Sequence, residues 1–184
     1  MTEIDTSPTS QATAGGDAPR AGKRGMRTFR LADAPMLHET GMMSMPTMEP
    51  DASEQLVEWA TTGGQIVKVL FGDPDGSGVS LVWSWFGPGF TLPRHSHSGD
   101  CLYFVHRGEV HMGNTVIPAG DGFFLPANAP YAYSAGPEGV EVLEFRGVCS
   151  FDMRITESLT RWDQILEVSR ASKERWATDA AAHA

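Results

Sequence analysis

Gly89-Phe90-Thr91-Leu92-Pro93-Arg94-His95-Ser96-His97, with Cys101 and Gly108 downstream, says more about this chain than any other stretch. Side chains alternate faces along a β-strand, so His95 and His97 point the same way, about 7 Å apart. Both rings can then grip one ion or one small ligand, and a pocket of that size is expected around them. Tyr103 and Val105 continue the face of Cys101, which puts a thiol and a phenol on one side of the following segment.

Outward from this stretch the punctuation is that of an all-β domain. Residues Gln65 to Phe71 and Val79 to Phe86 are rich in Val, Leu, Trp and Phe and are joined by a Gly- and Pro-rich segment, Gly72 to Gly78, which predicts a hairpin. Further short strands are expected at Thr91 to His97, Cys101 to His106, Glu109 to Met112, Thr115 to Ile117, Gly122 to Leu125, Tyr131 to Ser134 and Val140 to Arg146. Strands this short and this regularly divided by Gly, Pro and Asn predict a barrel or sandwich. Trp83 and Trp85 alternate with Ser84 and share a face, as candidate walls of an aromatic substrate pocket together with Tyr103. Tyr131 and Tyr133 share a face in the same way.

Before these strands lies an arm rich in methionine, with Met36, Met42, Met43, Met45 and Met48. Unbranched thioethers fill irregular gaps, so the arm is expected to pack across the barrel or a neighbouring subunit, with a lid over the pocket as the alternative. A short helix is expected over Asp51 to Ala60. Beyond the strands, Thr160 and Asp163 have capping-box spacing, and Trp162, Ile165, Leu166 and Ser169 recur at helical intervals, predicting a helix to about Trp176 that docks on the barrel's outer face.

Composition narrows the function. The 184 residues, 41% hydrophobic, suffice for one core, and a net charge of −9 gives little attraction for phosphate backbones or anionic lipid. Nucleic acid and membrane are therefore not expected as partners. Met1 to Thr28 is rich in Ser, Thr, Ala, Gly and Pro without an apolar run, which reads as a disordered tail and not a signal peptide. No 18-residue apolar stretch occurs. Two cysteines make no disulfide scaffold, and a cytoplasmic location is expected. The expected organisation is a tail over 1–28, an arm over 29–54, a barrel over 55–150 and a helical extension over 151–184.

The spacing of Gly89, His95, His97, Cys101 and Gly108 resembles the first motif of the cupin superfamily, with cysteine where that motif has glutamate. Gly120, Pro126, Asn128, Tyr131 and Ala135 resemble the second motif, with tyrosine in place of its histidine. The resemblance implies a cupin jelly-roll, a double-stranded β-helix barrel, with His95, His97, Cys101 and Tyr131 as metal ligands converging at its mouth. A thiolate would tilt such a site toward iron or zinc, although the metal is absent in one reading. Asp100 is a weaker candidate to replace the missing carboxylate. Cupins often pair their barrels, so a homodimer is implied as well.

Residues around Trp59, Leu70 to Asp75 and Pro88-Gly89 are similar to the dihydroxyacetophenone-dioxygenase and anti-sigma-factor group of cupins. Two function classes follow. In one, a metal-dependent, dioxygenase-like enzyme acts on a small organic molecule, with Tyr131 and Tyr133 orienting substrate or moving a proton. In the other, the same pocket is a metal-free binding module or a non-redox isomerase, lyase or cyclase that works by shape and hydrogen bonding. Cupin thiol dioxygenases also imply a crosslink between Cys101 and Tyr131, Tyr133 or Tyr103.

Overall fold

The computed structural model describes residues 25–45, 50–73 and 78–183; the expected tail therefore falls largely outside the described residues, as do Met48 and the middle of the first hairpin turn. A 3₁₀ turn (Leu31–Asp33) leads to α1 (Leu37–Thr40), β1 (Met43–Ser44) and α2 (Pro50–Ala60). Eight strands then follow: β2 (Gln65–Gly72), β3 (Ser80–Phe86), β4 (Thr91–Ser96), β5 (Cys101–Met112), β6 (Thr115–Pro118), β7 (Gly122–Leu125), β8 (Tyr131–Arg146) and β9 (Phe151–Asp152). The chain continues through β10 (Arg154–Ile155) into α3 (Leu159–Ala180).

Strands β10, β4, β8, β3 and β2 lie side by side, and β5 joins β8 while also carrying β6 and β7. This mostly antiparallel eight-stranded sheet curls into a half-barrel, a cupin-like jelly-roll. The hairpin of β2 and β3 forms as the apolar runs predict. Two strands are longer than their punctuation suggested. At Gly108 the chain bends inside β5 without leaving it, because a positive φ of 69° is open to glycine and a Cβ there would run into the Gly139 carbonyl. Strand β8 bends opposite it, over residues 136–139, with Gly139 at φ 81°.

That bend changes the parity of β8. Tyr131, Tyr133 and Ala135 are buried on odd positions, whereas Val140, Val142, Glu144 and Arg146 are buried on even ones that alternate with half-buried Leu143 and exposed Phe145. The first half of β8 pairs with β4 and the second with β3, so one strand closes on the interior from two sides.

One end of the interior is filled by aromatic rings. Phe90, Trp162 and Trp176 are fully buried, and Phe90 packs against Trp59, Phe86 and Trp176 at centroid distances of 5.3, 5.4 and 5.3 Å. The Trp59 and Trp176 indoles donate to the Thr91 and Pro88 carbonyls, each at 3.0 Å, which removes the penalty of burying a polar N–H. Helix α3 uses the face its periodicity predicts, Trp162, Ile165, Leu166, Ser169 and Trp176, but packs it into this interior aromatic core and not on the barrel's outer face. Its N-cap is Ser158, two residues before the expected Thr160, and the Ser158 hydroxyl accepts from the Arg161 amide at 3.3 Å. A cap needs extended dihedrals before the first turn, and Ser158 has them (φ −75°, ψ 149°).

The arm returns across the barrel. Strand β1 pairs in parallel with β9, Met36 bridges Lys68 of β2, and Met42 and Met43 pack on Leu37, Val69, Val82 and Phe151. Among the described residues, no helix is long and apolar enough to cross a membrane.

Candidate functional site

Beyond this cluster, with Trp59 and Phe86 bordering both, the interior of the half-barrel is left open as a cavity of about 530 Å³. Apolar walls come from Phe86, Leu92, Phe151 and Met153, and Met36, Leu37, Met43 and Met45 of the arm close one side. Into these walls are set Ser84, His95, His97, Tyr103, Tyr131, Tyr133, Glu144 and Arg146.

His95 and His97 reach the cavity from β4 and the residue after it, as strand alternation requires. Each Nδ1 lies 2.6 Å from a main-chain carbonyl, Pro93 for His95 and Asp152 for His97. A carbonyl only accepts, so both Nδ1 atoms carry the proton and both Nε2 atoms keep their lone pairs. Burial and the neighbouring His97 push His95 down to about 4, and burial with the nearby Arg146 charge lowers His97 as well. Both rings are thus neutral near pH 7.

Opposite them, register sets His95 beside Tyr131, with ring centroids 4.3 Å apart. The Tyr131 and Tyr103 hydroxyls are 2.7 Å apart. Arg146 Nη2 donates to Tyr103 Oη at 3.4 Å and to Glu144 Oε2 at 2.6 Å, and Ser84 Oγ donates to Glu144 Oε1 at 2.7 Å. Burial alone would raise the Glu144 carboxyl, but Arg146 and the Ser84 hydroxyl hold it below the ordinary carboxylate range. Glu144 in turn keeps Arg146 charged despite its burial. Burial raises the Tyr103, Tyr131 and Tyr133 phenols, so all three retain their protons.

Of the residues singled out by sequence, His95, His97, Tyr103, Tyr131 and Tyr133 come together at this cavity. Cys101 faces the interior and is buried, but it does not line the cavity; burial pushes its thiol up to about 12. Trp83 and Trp85 do share a face, the opposite one from Ser84 and Phe86, which line the cavity. There Trp83 Nε1 donates to Glu141 at 3.2 Å and Trp85 stacks on His183 at 5.0 Å, so both indoles anchor the end of the chain on the outside of the sheet. Asp100 is exposed and accepts from the Ala127 amide at 2.7 Å, which leaves it outside the site. Ser84, Glu144 and Arg146 were not foreseen.

The cupin resemblance implies a divalent metal, and the side chains present do not complete a site for one. Two neutral imidazoles with free Nε2 atoms suit a cation, and their carbonyl-bound Nδ1 atoms suit it equally. The rest of the donor set does not: Cys101 is off the cavity, Tyr131 holds its proton, Glu144 is engaged by Arg146 and Ser84, and the guanidinium adds a positive charge. Among the described residues, no three His, Cys, Asp or Glu side chains are grouped to share an ion.

No protein-family model matches the chain, and no curated protein matches it. Solved structures do. The polyketide cyclase RemF from Streptomyces resistomycificus matches with TM-score 0.51 and 17% identity over 76% of this chain and 92% of its own. KdgF from Halomonas sp. has TM-score 0.45 and 16% identity over 66% of this chain and 94% of its own. An RmlC-like cupin from Shewanella frigidimarina has TM-score 0.42 and 24% identity over 47% of this chain and 78% of its own. Identities this low speak to fold alone, and RemF shares the jelly-roll described above.

Proposed function

We propose that this chain binds a small, largely apolar organic molecule in the half-barrel and acts on it, where it acts, by non-redox proton transfer of the isomerase, lyase or cyclase kind. The observation that carries this reading is the pairing of opposite capabilities across a few ångströms of apolar cavity. His95 and His97 present neutral Nε2 acceptors, and Tyr131 presents a phenol that keeps its proton. Arg146 polarises Tyr103 as a donor toward Tyr131, which leaves the Tyr131 hydroxyl free to donate to a ligand. An imidazole can take a proton from the bound molecule while Tyr131 stabilises the oxygen on which charge develops. Low local dielectric strengthens both contacts. A polyketide cyclase has the same fold, which makes cyclisation one activity to assay.

The test is binding of 1-naphthol, an apolar body with one hydroxyl, to protein stripped of metal by chelation. Saturable one-to-one binding is expected without added metal, weakened about tenfold in Tyr131→Phe, as removal of one hydrogen bond requires. Binding that appears only on adding iron or zinc would overturn the reading in favour of the dioxygenase-like class.

A second copy belongs to the same reading. Phe71, Leu81, Phe145, Leu102 and Phe124 sit opposite one another on five adjacent strands, and the last three are 43%, 53% and 56% exposed. This row runs Phe, Leu, Phe, Leu, Phe, so a two-fold axis at Phe145 would set Phe71 against Phe124 and Leu81 against Leu102 of the second copy, an isologous arrangement. Light scattering should find a dimer that Leu102→Glu converts to monomer; a monomeric wild type would contradict the pairing.

A further inference from the structure

Arg146 has more hydrogen-bonding capacity than the protein uses. Its side chain is 1% exposed, it forms part of the cavity wall, and its Cζ lies 4.1 Å from the centre of the Phe151 ring, so the guanidinium is stacked in place. Nη2 serves Glu144 and Tyr103, while Nε and Nη1 have no partner. A guanidinium carries five N–H donors in a rigid fork, and a buried charged donor left without an acceptor is strongly disfavoured. The nearby acceptors are already engaged: Glu144 Oε1 takes the Ser84 hydroxyl and Tyr131 is bonded to Tyr103.

We propose that Arg146 is the recognition residue of the cavity and that the molecule it recognises is a conjugated ketone, whose carbonyl oxygen accepts from the unpartnered edge of the guanidinium. The proposal rests on the reading of the cavity given above and names its substrate class. Glu144 already balances the charge of Arg146, so a neutral carbonyl suits the site better than a second full anion, and a charge that develops on that oxygen during proton transfer is met by a preorganised donor. The walls of Phe86, Phe151 and Met153 suit a flat conjugated body. A ketone also activates the hydrogens on its neighbouring carbon, which is where a neutral imidazole would act. Arg146 thus supplies, as a fixed part of the chain, the positive charge that polarises a carbonyl.

The test uses two probes of one shape on the full-length protein. 2-Acetylnaphthalene carries the carbonyl, and 2-isopropenylnaphthalene replaces its oxygen with a methylene. Wild type should bind the ketone at least tenfold more tightly than the alkene. Because Arg146→Met alone strands a buried Glu144 and endangers folding, the comparison is with Glu144→Gln/Arg146→Met, in which the preference should fall at least fivefold, to what the Tyr131 hydroxyl alone supplies, while alkene binding stays within about twofold. Equal binding of both probes by wild type, or a preference that is undiminished in the double variant, overturns the assignment of Arg146 and leaves the cavity reading standing. Failure of wild type to bind either probe defeats both.

Discussion

The two ends of the half-barrel are built from the same strands and solve opposite problems. At the α3 end, Phe90, Trp162 and Trp176 exclude water completely, and the indoles of Trp59 and Trp176 find carbonyl partners while the Trp162 N–H goes without one, so burial there is mostly gain. At the cavity end the same inward positions hold two histidines, three tyrosines and a Glu–Arg pair around open space. A fold that needed only stability would have filled that end with Leu and Phe, since a buried ion pair is often worth less than the apolar residues that could replace it. The contrast teaches that the cavity end is kept polar at the expense of stability, and that the filled end carries the load.

If so, the largest effect should come from the filled end. Trp176 sits against Gly64 and Gly87, where any Cβ would collide with the indole, so the site is shaped around this one ring. Trp176→Ala should cost about 3–5 kcal/mol in denaturant unfolding. A loss below about 1 kcal/mol would mean that the helix is a passive attachment. Next comes the charge pair: Arg146→Met should cost about 3 kcal/mol by stranding Glu144, and Glu144→Gln/Arg146→Met should recover most of it. Lack of recovery would show that the pair holds the sheet together and would blur the contrast between the ends.

Mild acid, between pH 7 and pH 5, should act on the cavity end through its histidines. His95 titrates at about 4 in the folded protein against about 6.5 when unfolded, so the unfolded chain binds more protons between those values and stability is lost as pH falls through that window. From pH 7 to pH 5 the loss from His95 should be about 2 kcal/mol, and His97 acts in the same direction. Urea midpoints across this range should fall in wild type and fall less in His95→Phe. Equal slopes would place the acid sensitivity elsewhere.

The same contrast explains what the sequence revealed. The filled end was legible because helical spacing of Trp162, Ile165, Leu166 and Ser169 has one reading. At the cavity end, the parity of His95 and His97 and the spacing to Tyr131 located the site, since strand geometry carries that information directly. Alternation says that Trp83 and Trp85 share a face but not which face, and Ser84 and Phe86 took the inside. Glu144 and Arg146 read as solvent-facing, because charges in a strand usually face water. Their parity with Val140 and Val142 was a usable signal, masked by the bend over residues 136–139 that switches β8 from odd to even inward positions.

The central claim, that the cavity end works through its own hydrogen-bonding groups and not through a resident ion, is tested most directly by titrating chelator-treated protein with iron(II) and with zinc(II) in a calorimeter. Two imidazoles without a third ligand, beside a buried guanidinium, predict weak binding with no stoichiometric step at micromolar protein. A tight one-to-one site that disappears in His95→Ala would contradict the account.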